Sequence, residues 1–332
     1  MTWPRASTSS RPWRPLDARK RAFVTGGTGF VGSHLVRHLV ESGDSVAVLL
    51  RPESDPWRIA DILDRVEHIV GRLSEPAGLM QPLAGFKPDV VYHLGWYGSG
   101  QSGRDDRSRQ QANVADAITV GHLAADAGAL TWVGLGSQAE YGPTQMVLDE
   151  STQARPVTEY GSAKLSAGRL THDLCAARSL RHVWLRLLTA YGPADRADYL
   201  IPHVILSLLR RRRPSLTDGS QPGDFLHVTD ACAAIRAAGV TESCSGTYVL
   251  ASGDHRPVRE VALTIRDMID PRLEIGLGEV IPNRAPVGLR GDPRALENAT
   301  GWSPKVPLQA GLAGCVEWYR RNLGRYSEDK CR

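Results

Sequence analysis

Tyr160 and Lys164, in Tyr160-Gly161-Ser162-Ala163-Lys164, stand four residues apart and share one face if the segment is helical. A phenol titrates near ~10 and is a poor acid or base at neutrality; a neighbouring Lys⁺, joined by positive charge on a bound ligand, is expected to lower that value into a useful range. The apolar run Leu130–Leu135 leads into Gly136-Ser137, putting a hydroxyl at the carboxyl end of a strand, the side on which open α/β sheets bind ligands. Ser137, Tyr160 and Lys164 are therefore the candidate catalytic residues, with Ser137 bonding a substrate oxygen and Tyr160 exchanging a proton with it.

A second group lies near the amino end. The run Ala22–Thr25 enters Thr25-Gly26-Gly27-Thr28-Gly29-Phe30-Val31-Gly32 and then an apolar helical stretch, Gly32–Glu41. This strand, glycine turn and helix form a dinucleotide site: one glycine for the tight turn, one for close approach of a diphosphate, one for packing helix on strand. The helix N-terminus offers unpaired N–H groups to the phosphates. Gly26, Thr28, Gly29, Phe30, Val31 and Gly32 are expected to hold the cofactor, with Leu94 and Gly95 at the end of a later strand. The second strand ends Leu49-Leu50-Arg51-Pro52, with no acid for the ribose hydroxyls and a guanidinium suited to a phosphate, so NADP(H) is favoured and NAD(H) is the alternative. If Arg51 is only a solvated strand end, Arg58 or Ser54 takes its place.

These groups need a scaffold. Apolar runs at Ala22–Thr25, Ser45–Leu50, Glu67–Val70, Val90–Leu94, Leu130–Leu135 and His182–Arg186 alternate with helical stretches such as Val114–Ala127, which predicts an α/β fold, a Rossmann-type doubly wound parallel sheet. After Tyr191 the alternation loosens: a helix around Ile201–Arg211, strands at Phe225–Val228 and Thr247–Ala251, and helices over Val258–Met268 and Leu308–Arg321. The expected organisation is a flexible basic tail over 1–21, a dinucleotide domain over 22–190 and a smaller C-terminal substrate lobe over 191–325, interleaved with the first.

The 332 residues are 42% hydrophobic and 23% charged, ordinary for a globular chain. The net charge of +4 comes largely from the tail, where Arg5, Arg11, Arg14, Arg19, Lys20 and Arg21 face a single acid, Asp17. The tail has no apolar core of a secretory signal, and no run reaches membrane-spanning length, so a cytoplasmic protein with no membrane partner is expected. Cys175, Cys232, Cys244, Cys315 and Cys331 are scattered and odd in number, predicting neither disulfides nor a metal site. The block Arg210–Arg213 reads as a helix-closing cluster that offers one arginine to a phosphate, not as a nucleic-acid surface. His93 reads as a satisfied core histidine, and Trp96-Tyr97 as pocket wall or packing.

Thr25 to Gly32, Val91-Tyr92-His93-Leu94-Gly95, Asn113, Gly136-Ser137-Gln138-Ala139-Glu140-Tyr141-Gly142, Tyr160 to Lys164, Tyr191-Gly192-Pro193 and Asp224-Phe225-Leu226-His227-Val228 resemble, in that order, the extended short-chain dehydrogenases that act on nucleotide sugars. The resemblance spans about residues 22–322. It implies a Rossmann domain with a sugar-nucleotide lobe, a homodimer, a nicotinamide cofactor whose ribose Lys164 holds, and a nucleoside diphosphate sugar as substrate.

Departures narrow the expected reaction. Dehydratases of that family carry an Asp-Glu pair where this chain has Gln138 and Ala139, and its decarboxylases keep the Glu, whereas Glu140 is displaced by one residue. An Asn that touches the sugar nucleotide is replaced by Thr189, and an Arg that grips its diphosphate by Gly223. Trp96, Gln138, Thr189 and Tyr199 are then the expected substrate contacts, with Arg213, Arg290 or Arg284 supplying the diphosphate contact. The favoured reading is NADP(H)-dependent reduction of a nucleotide-activated 4-keto-deoxysugar. A 4-epimerase with tightly bound NAD is the alternative, ahead of a decarboxylase or a non-catalytic sensor.

Overall fold

The computed structural model describes residues 19–100, 103–281 and 288–326. Seven strands form the central sheet: β1 (Arg21–Thr25), β2 (Ser45–Leu50), β3 (Glu67–Val70), β4 (Val90–His93), β5 (Thr131–Ser137), β6 (Arg181–Leu187) and β7 (Gly246–Leu250). Their spatial order is β3-β2-β1-β4-β5-β6-β7 and every pairing is parallel. The chain therefore winds outward in both directions from β1 and β4, which leaves a crevice at their carboxyl ends.

The inner strands are covered on both faces, so β1, β2 and β4 are almost wholly buried and adjacent residues feed opposite cores, whereas the edge strand β3 buries only Ile69. Val24 and Val48 pack with α1 (Phe30–Glu41) on one side, while Phe23 and Leu49 pack with α2 (Ala77–Phe86), α3 (Arg107–Asp126) and α4 (Glu159–Ala177) on the other. A third core unites α5 (Leu200–Leu209), α7 (Val258–Ile269) and α9 (Leu308–Arg321) into the smaller lobe.

The strand expected at Thr247–Ala251 joins the central sheet beside β6 rather than the smaller lobe. The helix that follows residue 227, α6 (Val228–Val240), and α8 (Arg294–Thr300) also pack on the first core, through Ala231, Ile235 and Leu296. Part of the chain after residue 190 thus packs on the first core. The run Phe225–Val228 is no single strand: Leu226–His227 pairs with Ala190–Tyr191, Pro222–Asp224 pairs with His255–Pro257, and Val228 opens α6. Residues 1–18 of the tail, Cys331 and Arg284 lie outside the described residues. Arg21, counted with the tail, is the first residue of β1.

One buried ion pair fixes the end of β5. The Glu140 carboxylate, fully buried, accepts hydrogen bonds from Ser137 N at 2.9 Å, Trp184 Nε1 at 3.0 Å and Arg186 Nε at 2.8 Å. It ties the turn Gln138–Glu140 back to β5 and β6, and Ser137 caps that turn in return. Removing one partner of such a pair strands the other without its counter-ion. Arg186→Ala is expected to cost about 3 kcal/mol in urea unfolding; a cost under about 1 kcal/mol would mean that the carboxylate is not held as described.

Candidate active site

The glycine turn is built by backbone against backbone. Gly26 has φ of +73°, and a Cβ there would stand 2.6 Å from Gly95 N, while a Cβ on Gly32 would run into the Gly26 carbonyl. Gly29 N donates to Gly26 O at 3.0 Å, closing the turn, and Gly29 precedes α1 with no side chain capping its first N–H groups. An uncapped helix of twelve residues behind a turn too tight for side chains fits a dinucleotide diphosphate.

Two cavities open from this turn. A cleft of about 540 Å³ is lined by Gly26, Gly29, Phe30, Val31, Gly32, Leu94, Trp96, Ser137, Gln138, Tyr160, Lys164, Thr189 and Tyr199, together with Arg58, Arg104, Asp195 and Arg196. A pocket of about 220 Å³ is lined by Thr25, Thr28, Leu49, Arg51, Ser54, Leu73, Gly95, Tyr97, Asn113 and Asp116, and shares Gly26, Gly29, Leu94 and Trp96 with the cleft. The candidate catalytic residues are thus brought together, and Arg51 lies on the far side of the turn from them.

The position of Tyr160 follows from local structure. Thr158 caps α4 through Gly161 N at 3.0 Å, so Tyr160 lies in the first turn, and Gly161 lets that turn press onto the Ala139 carbonyl, where a Cβ would collide. This sets the phenol against Ser137. Lys164, one turn on, donates to Leu135 O at 2.7 Å and lies 3.7 Å from the centre of the Trp96 ring. Trp96 meets the Tyr160 ring edge-on at 6.2 Å. It is pocket wall, and it also holds the ammonium.

The electrostatics differ from the sequence expectation. Burial raises the Tyr160 phenol above its ordinary value, and the groups that pull it back are the Ser137 hydroxyl and the Arg104 guanidinium, not Lys164. Arg104 lies 4.8 Å from the centre of that ring. Loss of water outweighs both, so the phenol keeps its proton at neutral pH until a ligand adds further positive charge. Burial also pushes Lys164 down to about 7.

Arg58, the alternative to Arg51, lines the cleft and not the Arg51 pocket, where Ser54 lies; Arg104 and Arg196 join it there. Arg58 donates to Ala194 O at 2.9 Å and Thr28 O at 3.2 Å, bridging the glycine turn and the smaller lobe. Arg104 and Arg196 come from irregular segments whose Gly, Ser and Asp neighbours carry no periodic signal; Arg196 pairs with Asp198. Asp195, buried beside Arg58, is pushed up to about 7 by loss of water.

Arg213 and Arg290, expected at the diphosphate, do not line the cleft. Arg213 is engaged by Glu274 and Glu279 within the smaller lobe, and Arg290 is exposed beside Leu148. Within the same basic block Arg210 donates to Tyr326 O and Arg211 to Asp270. Gly223 pairs with Arg256 at a strand edge. His93 is only half satisfied: Nδ1 meets Thr25 Oγ1 at 2.8 Å while Nε2 is buried without a partner, and burial pushes it down to about 3. Glu140 points into the core, away from the cleft. Among the described residues no helix is long and apolar enough to cross a membrane.

The lowered Lys164 value has a measurable consequence. Between about 7 and its ordinary 10.5 the unfolded chain holds a proton that the folded chain has lost, so stability rises with pH in that window. Below about 7 both states are charged and burial of the ammonium weighs fully against folding. The melting temperature of Lys164→Met relative to the unsubstituted protein should therefore be highest below pH 7 and decline toward pH 10; a difference flat with pH would contradict the burial described.

Residues 22–251 match the NAD dependent epimerase/dehydratase family. UDP-glucose 4-epimerase of Halalkalibacterium halodurans is 27% identical over 92% of this chain and 97% of its own length. dTDP-glucose 4,6-dehydratase 1 of Escherichia coli is 25% identical over 91% and 93%. The fold is that of UDP-glucose 4-epimerase from Thermotoga maritima, solved with UDP-glucose, at a TM-score of 0.83 and 21% identity over 91% of this chain and 99% of that one. With a matched segment that covers most of the chain, this protein belongs to the NAD dependent epimerase/dehydratase family.

Proposed function

We propose that the protein is a sugar-nucleotide 4-epimerase that keeps NAD bound through its cycle. The observation that carries this reading is the company of Tyr160: Ser137, Lys164 and Arg104 stand around the phenol, and the residue beside Ser137 facing the cleft is the neutral Gln138. Elimination of water needs an additional acid and base at the sugar. Among the described residues Asp195 is the only carboxylate lining the cleft, and it stands with Arg58 and Tyr199.

A nicotinamide dinucleotide at the glycine turn supplies a hydride acceptor and donor and, when oxidised, positive charge beside the phenol. Tyr160 takes the proton of the sugar 4-hydroxyl and returns it after the sugar has turned over. Ser137 donates a hydrogen bond to the same oxygen. Lys164, fixed by Leu135 O and Trp96 one turn beyond the phenol, is placed to hold the nicotinamide ribose. The apolar wall of Leu94, Trp96 and Leu187 keeps water from the reacting carbon.

The surroundings of Arg51 favour NAD over NADP. Its guanidinium lies 3.6 Å from Glu53, is stacked 4.4 Å from the Tyr97 ring centre, and shares its pocket with Asp116, so its charge already has two carboxylate neighbours. One observation favours the second reading, NADP(H)-dependent reduction of a 4-keto-deoxysugar nucleotide: β2 ends without an acid for the ribose hydroxyls. A cytoplasmic homodimer is the setting both readings assume.

Purified protein is expected to release NAD on denaturation and to convert UDP-glucose into its 4-epimer with no cofactor added. Tyr160→Phe should lower that turnover at least about 10²-fold while NAD is retained. Unchanged UDP-glucose together with NADPH oxidation on a 4-keto sugar nucleotide would establish the reductase reading instead.

A further inference from the structure

The smaller pocket contains an acid that the reaction does not use. Asp116 lies on α3, one turn after Asn113, so the two side chains share a helix face. Asn113 is fully committed to holding the Trp96-Tyr97 segment: its Oδ1 accepts from Tyr97 N at 2.8 Å and its Nδ2 donates to Tyr97 O at 2.8 Å. Thr25 is bonded to His93 and the Ser54 hydroxyl accepts from Arg51 N. Trp96 Nε1 donates to Gln110, so of the pocket's polar side chains this leaves Thr28 within the turn, the Tyr97 hydroxyl, Arg51 with its Glu53 neighbour, and Asp116.

The walls between them are largely apolar. Leu49, Leu73 and Leu94 line the pocket with the Trp96-Tyr97 segment, and Arg51 stacks on Tyr97. A planar heteroaromatic ring fits such a slot, and the pocket joins the glycine turn on the side away from Tyr160, where the adenosine half of a dinucleotide must go. Asp116 is half-buried, accepts no hydrogen bond among the described residues, and its carboxyl is pushed up to about 6 by loss of water, with Arg51 the one charge acting against that. A carboxylate so placed lacks a donor, and adenine brings one in its 6-amino group.

We propose that Asp116 recognises the adenine of the cofactor by accepting a hydrogen bond from its exocyclic amine, and so makes the chain selective for adenine dinucleotides over those with an oxo group at that position. The inference rests on the dinucleotide reading of the glycine turn and adds a specificity residue to it. At a hypoxanthine ring, the exocyclic carbonyl oxygen that replaces the amine faces the carboxylate acceptor to acceptor, which removes one charge-assisted bond and adds repulsion.

The test is binding of NAD and of nicotinamide hypoxanthine dinucleotide to the full chain freed of retained cofactor, read by calorimetry. The unsubstituted protein is expected to prefer NAD by about ten-fold or more. Asp116→Ala should bring the two dissociation constants within about two-fold by weakening NAD alone, and Asp116→Asn, whose amide oxygen still accepts, should restore part of the preference. Equal affinity in the unsubstituted protein, or a preference that survives Asp116→Ala, overturns the proposal while leaving the dinucleotide site intact. Failure of the unsubstituted protein to bind either dinucleotide overturns both.

Discussion

Backbone lies directly against backbone where the chain leaves β1. The turn after Thr25 touches Leu94 and Gly95 at the end of β4, and the first turn of α1 touches the carbonyl of Gly26. Side chains at Gly26 or Gly32 would force these segments apart, and with them β1 and β4, the two strands between which the order of winding reverses. Much else depends on that contact. It holds the uncapped end of α1 over the crevice, and it divides the crevice into a catalytic cleft and a smaller pocket that meet at Gly26 and Gly29. A dinucleotide laid across the turn would present one end to Tyr160 and the other to Arg51 and Asp116.

The catalytic end is organised by burial more than by any single ion pair. Tyr160, Lys164 and Ser137 are all buried, and the two titratable groups move in the directions that lost solvation dictates, the phenol up and the ammonium down. Each departs from its charged form until a ligand arrives. Against the phenol's shift stand the hydroxyl of Ser137, whose backbone is itself fixed by the buried Glu140, and the Arg104 guanidinium over the Tyr160 ring; against the ammonium's stands the Glu140 carboxylate. The Glu140–Arg186 pair thus acts on the site from below, through the geometry of β5 and the turn that follows it.

The inner strands of the central sheet are legible because both their faces are buried and their apolar runs are nearly continuous. All seven strands lie within a residue or two of the expected bounds, and the glycine turn and the Tyr160–Lys164 spacing carry enough local information to locate the candidate site. What was not legible depends on contacts far apart in sequence. The strand Gly246–Leu250 has the same local character whether it pairs within the small lobe or with β6. Arg213 looks available for a phosphate until folding brings Glu274 and Glu279 to it, and Arg104 looks like an ordinary loop residue until Tyr160 arrives beneath it. The direction of the phenol shift was misjudged for the same reason: charge neighbours can be inferred from spacing, but the loss of water that outweighs them is a property of the packed cleft.

The central claim is that Tyr160 supports reversible oxidation of the substrate carbon that carries the 4-hydroxyl. The most direct measurement follows deuterium placed on that carbon of UDP-glucose through turnover by the protein with its retained NAD. The expected result is a 4-epimer that keeps the label on the same carbon, with none released to solvent, because one hydride leaves and returns within a closed site. Loss of the label to water, or its accumulation on free nicotinamide cofactor with no epimer formed, would contradict the account.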